Sequence, residues 1–65
     1  MIKDIGEAAG EIFRYVEKNG PQFVDELRVK LFQDDDLLNR SIGWLAREAK
    51  IVITLEDDRE VVSVV

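Results

Sequence analysis

The chain contains no cysteine and no histidine. Without cysteine it has no disulfide staple and no thiolate metal site. Without histidine it lacks both the commonest metal ligand and the commonest general base. No apolar run approaches the roughly 20 residues that span a bilayer. The first residues lack the basic region and apolar block of a secretion signal. The expectation is therefore a cytoplasmic, soluble protein with no membrane contact. Positive charge is also scarce, 9 basic residues against 14 acidic, for a formal net charge of −5. Nucleic-acid affinity comes largely from neutralising phosphates, so DNA is an unlikely partner on charge alone.

What is present is a well-patterned apolar framework. A length of 65 residues makes one expected domain, 1–65, near the lower size at which a core holds unaided. A hydrophobic fraction of 46% excludes a disordered chain. Small chains without staples often recruit a second surface, which raises the expectation of an oligomer.

The stretch from Asp36 to Ile53 organises the rest, because its period changes part-way. Leu38, Ile42, Leu45 and Ala49 recur at steps of four, three and four, one stripe along a helix. From Ile51 the pattern turns into a β-branched run, Ile51-Val52-Ile53-Thr54, which predicts a strand. Only Lys50 is left as a joint between them.

Upstream, Asp4 is a fitting N-cap for a helix that carries Ile5, Ala9, Ile12 or Phe13, and Val16 on its apolar face. Asn19-Gly20-Pro21 ends it with a left-handed residue and a proline that cannot continue the helix. Gly6 and Gly10 lie on this helix four residues apart. Close packing inside the monomer is the expected compensation for their helix cost, and a self-association face is the alternative. Gln22-Phe23 reads as a brief extended segment. Val24, Leu27 and Leu31 then define a second helix, with Asp25 and Glu26 in the first turn where carboxylates suit the dipole. Phe32-Gln33 reads as a turn, and Asp34 as the cap of the third helix. Two strands follow, about Ile51 to Leu55 and Glu60 to Val65, joined by a Glu56-Asp57-Asp58-Arg59 loop. The predicted fold class is α+β: a winged helix-turn-helix of three helices with a small antiparallel β-hairpin wing.

Two segments carry a more specific likeness, Ile5-Gly6-Glu7-Ala8-Ala9-Gly10 and Ile42-Gly43-Trp44-Leu45-Ala46-Arg47-Glu48-Ala49-Lys50-Ile51. A Gly-Trp pair inside a helix that runs through Leu-Ala-Arg-Glu into a strand is unusual. The chain resembles a small bacterial and archaeal family of winged helix-turn-helix domains without an assigned function. The resemblance implies the fold over essentially the whole chain and brings no catalytic residue. DNA binding follows from it by analogy alone.

The chemistry of the chain argues against the usual DNA-reading geometry, in which the third helix enters the major groove and the wing touches backbone. Asp34 to Glu48 carries four acids and two bases, and Glu56 to Glu60 carries four acids and one base. Asn39, Arg40 and Arg47 are the candidate base-contacting residues if DNA is bound. An unconventional basic face of Arg14, Lys18, Arg28, Lys30 and Lys50 is the other route. Asp34-Asp35-Asp36 lacks the spaced ligands and turn glycine of a calcium loop, and capping accounts for it. Ser41 and Ser63 have no histidine to activate them. No enzyme activity, cofactor, metal or small-molecule substrate is expected.

Val61-Val62-Ser63-Val64-Val65 is apolar on both faces, and on an edge strand such a run invites pairing. Trp44 sits beside the helix stripe and fits either a core edge or an interface anchor. The expected contact surface is therefore Trp44 with Val61, Val62, Val64 and Val65. The expected function is a non-catalytic interaction module in a regulatory or assembly role, partnered by a second copy of itself or by another protein, with a DNA-binding regulator as the alternative.

Overall fold

The computed structural model describes residues 4–31 and 34–65. The turn expected at Phe32-Gln33 lies outside the described residues. The elements run α1 (Ile5–Asn19), β1 (Gln22–Phe23), α2 (Val24–Leu31), α3 (Asp35–Arg47), β2 (Ile51–Glu56) and β3 (Arg59–Val64).

Both long helices begin where the sequence places a cap. The Asp4 carboxylate accepts a hydrogen bond from the Glu7 backbone N–H at 2.7 Å, and Asp34 accepts one from Leu37 at 2.9 Å. Each satisfies a donor that the first helical turn leaves without a partner. At the other end of α1, Gly20 adopts φ 86° and its N–H returns to the Val16 carbonyl at 2.8 Å. Pro21 then turns the chain into β1.

The core gathers Ala9, Ile12 and Val16 from α1, Leu27 from α2, Leu38, Ile42 and Leu45 from α3, with Ile51 and Val62 from the sheet. The i, i+3/i+4 spacing of the helical members puts them on one face, so α1 packs along α3 while α1 and α2 cover β3.

The stripe expected to run on to Ala49 stops at Leu45. Ala49 is exposed and lies beyond the helix in the left-handed region, φ 57°. Its N–H bonds to the Ala46 carbonyl and that of Lys50 to the Leu45 carbonyl, both at 3.0 Å. These two bonds form a Schellman cap with alanine in the place that glycine usually takes. The joint between α3 and β2 is accordingly three residues, Glu48 to Lys50, rather than one.

The sheet order is β1-β3-β2, all antiparallel. The wing turn is tighter than expected, because Glu56 and Arg59 pair across it and only Asp57 and Asp58 lie between the strands. Both have positive φ, 52° and 63°, the signature of a type I′ turn that suits the strand twist.

The last strand is not the edge strand that its apolar run suggests. β3 is the central strand, because Gln22 and Phe23 pair with Val62 and Val61 on its second side. The edges belong to β1 and β2. Val62 is fully buried in the core, and Val61 is 7% exposed. Val61 lies on the opposite sheet face between its cross-strand neighbours Phe23 and Thr54. The two apolar faces at Val61-Val62 thus belong to a stretch flanked by β1 and β2, whereas Val64 and Val65 lie beyond the reach of β1.

Candidate interaction surface

A winged helix meets DNA through α3 and the wing, so the charge at their junction decides what that face can hold. A cleft of about 310 Å3 opens there between α2, the start of α3 and the wing. Its charged lining is Asp25, Arg28, Asp35, Asp58, Arg59 and Glu60, four carboxylates and two guanidinium groups. Both guanidinium groups are already engaged. Arg28 Nε lies 3.3 Å from the Asp35 carboxylate. Arg59 donates to both oxygens of Asp25, Nη2 at 2.8 Å and Nε at 3.2 Å, the bidentate fork that fits a carboxylate. Its guanidinium also stands 3.6 Å from the centre of the Phe23 ring, a cation–π contact. The hydrogen bond from Arg59 is the main reason the Asp25 carboxyl is held below its ordinary range, against a smaller opposing effect of partial desolvation.

Asn39, Arg40 and Arg47 are all exposed on α3, on the same helix as the exposed Asp35 and Asp36. The five bases of the unconventional face do not share one environment. Arg14 and Lys18 line a shallow groove with Tyr15 and Leu31, whereas Arg28 lines the acidic cleft. Lys30 stands 5.8 Å above the Tyr15 ring. Among the described residues, no group of three acidic side chains is placed to hold a metal ion.

The apolar surface is distributed differently from expectation. Of the expected contact residues, Val65 is 75% exposed and Trp44 is 47% exposed, while Val64 packs half-buried against the core. Val61 and Val62 are covered and cannot contribute. The surface missed by the sequence reading is β2, where Val52, Ile53 and Leu55 are exposed, Leu55 by 72%. Ile53 and Leu55 share a sheet face with buried Val62 but extend past the helices that cover it. The signal for them was the possibility that Gln22-Phe23 pairs with the last strand, which leaves the first wing strand at the edge.

The glycines also bear on this surface. Among the described residues, a Cβ at Gly6 would meet the Asp4 side chain at 3.4 Å, and the atoms nearest one at Gly10 belong to the flexible Arg14 guanidinium, the first at 3.2 Å. A Cβ at Gly43, beside Trp44, would meet none of the described residues within 4 Å. Among the described residues, the nearest neighbours of Gly6 and Gly10 are thus side chains of their own helix and its cap rather than of a second helix.

A family comparison settles what the fold belongs to. Residues 1–64 match a winged helix-turn-helix domain family, DUF2582. The chain is a member of that family. It is 34% identical over 62 residues to an uncharacterized protein of the archaeon Methanocaldococcus jannaschii, covering 92% of this chain and 87% of the relative. No solved structure gives a significant match. No described helix is long and apolar enough to cross a membrane.

Proposed function

We propose that this winged helix is a non-catalytic interaction module that works as a homodimer, in a regulatory or assembly role. The observation that carries the reading is the outer edge of β2, which no described strand pairs, a six-residue strand with Val52, Ile53 and Leu55 exposed along it. An exposed apolar edge strand left uncovered is an association site. Trp44 and Val65 add large exposed apolar side chains to the same small domain. Catalysis has little support, since the chain carries neither histidine nor cysteine and its exposed carboxylates lie in open, solvated clefts.

The competing reading is a DNA-binding regulator, and it draws on the exposure of Asn39, Arg40 and Arg47 along α3. Against it stand the acidic cleft at the α3–wing junction and the engagement of Arg59, the one base of the wing, with Asp25. Sedimentation across a concentration series tests the homodimer, which a strict monomer at high concentration contradicts. A gel-shift titration against duplex DNA at low salt tests the competing reading, which saturable binding revives.

A further inference from the structure

We propose that the free edge of β2 pairs antiparallel with β2 of a second copy of this chain, centred on Ile53, so that two three-stranded sheets join into one of six strands. The inference rests on the homodimer reading and assigns its interface.

The backbone settles which groups are available. The Val65 N–H donates to the Lys50 carbonyl at 3.2 Å, one step beyond the Ile51–Val64 pair of the ladder. In an antiparallel ladder, hydrogen-bonded and non-bonded pairs alternate. Lys50, Val52, Thr54 and Glu56 therefore turn their backbone groups toward β3. Ile51, Ile53 and Leu55 present their N–H and C=O groups to the open side.

Symmetry then restricts the register. Two copies of an antiparallel edge are related by a two-fold axis normal to the sheet, which keeps the core face of both on the same side. Such an axis pairs residues of like parity. Centred on Ile53, it places Ile53 opposite itself and Ile51 opposite Leu55 twice, three pairs whose backbone groups all point across the junction. Centred on Val52 or Thr54, it leaves two such pairs, Ile51–Ile53 or Ile53–Leu55 and their symmetry mates.

Charge selects the same register. With Ile53 on the axis, Lys50 of each copy stands opposite Glu56 of the other, in a non-bonded pair where side chains approach most closely. The antiparallel arrangement also carries the two acidic Asp57-Asp58 turns to opposite ends, away from each other. Leu55, the most exposed apolar side chain of the strand, stands opposite Ile51 of the other copy. Proteins that keep an edge unpaired blunt it with proline, a bulge or an inward charge. β2 has no proline and pairs one-to-one with β3 throughout, without a bulge.

The test exploits the absence of cysteine. In the proposed register the two Ile53 Cα atoms lie about 5.5 Å apart, within disulfide reach. The two Thr54 Cα atoms lie roughly 8 Å apart, beyond it. Under mild oxidation, Ile53→Cys should form a covalent dimer and Thr54→Cys should not. In parallel, Lys50→Glu should raise the dimer dissociation constant roughly tenfold, and adding Glu56→Lys should restore it. Equal cross-linking at both positions, or a dimer indifferent to Lys50→Glu, overturns the edge pairing while leaving the homodimer in place. A wild-type chain that stays monomeric at millimolar concentration overturns both.

Discussion

Arg59 holds Asp25 through two hydrogen bonds of 2.8 and 3.2 Å while its guanidinium lies over the Phe23 ring at 3.6 Å. The contact joins the wing to α2 across 34 positions of sequence. It also occupies the one basic side chain of a wing whose other charges are all carboxylates. In a DNA reader that base would face phosphate. Here it fastens the wing to the body of the domain and lies over Phe23, the cross-strand neighbour of Val61.

The same contact makes part of the stability depend on acid. Asp25 is lowered from an ordinary value of 3.8, mainly by the Arg59 hydrogen bond. A carboxyl whose folded value is depressed contributes stability that is present above its unfolded value and is lost as pH falls through the folded one. Urea midpoints should therefore fall from pH 5 toward pH 2 more steeply in the wild type than in Asp25→Asn. Because both partners are about half exposed, the difference should shrink in high salt. Parallel pH profiles for the two proteins would show that the pair does not couple to folding.

Ala49→Gly should stabilise the domain. A left-handed alanine costs roughly 1–2 kcal/mol, and glycine removes that strain while giving back part of it as unfolded-state entropy. The expected net gain is about 1 kcal/mol, or about 5 °C in Tm for a domain of this size. Thermal unfolding followed by circular dichroism reads it directly. A lower Tm would contradict the cap geometry at φ 57°.

Ser41 is fully buried, and its hydroxyl has no hydrogen-bond partner among the described residues. An unsatisfied buried hydroxyl costs about 1–3 kcal/mol, so Ser41→Ala should be neutral or raise stability by up to about 1 kcal/mol. A loss of more than about 1 kcal/mol in urea unfolding would mean that the hydroxyl is bonded in solution.

The acidic junction of α3 and the wing predicts no measurable affinity for duplex DNA, even near 50 mM salt, where phosphate contacts are strongest. Fluorescence anisotropy with a labelled random duplex measures this. A salt-dependent rise in anisotropy would place the phosphate contacts elsewhere, and Arg14 and Lys18, which share one groove, are the first residues to neutralise.

Much of the fold is legible in the residues because its signals are local. Asp4 and Asp34 mark helix starts, Gly20-Pro21 marks a stop, and the change of period near Ile51 marks the passage from helix to strand. What escapes is non-local. The position of β3 at the centre of the sheet depends on a two-residue strand, Gln22–Phe23, pairing with residues about 40 positions later in the chain, and no periodicity reports that. Assigning the edge to the wrong strand also moved the expected surface onto Val61 and Val62. Ala49 escaped for another reason: its apolar character continues the helical stripe, but the backbone has already turned left-handed to enter β2. The burial of Ser41 was equally invisible, because a serine beside a helix stripe carries no sign of which way the neighbouring helix packs.

Light scattering in line with size-exclusion chromatography, across a concentration series of the wild-type chain, reads the homodimer most directly. A homodimer closed by a two-fold axis requires the measured mass to rise with concentration from one chain of 7.5 kDa to twice that value and no further. A mass fixed at one chain throughout the series would contradict it, and the exposed residues of β2 would then have to meet a different protein.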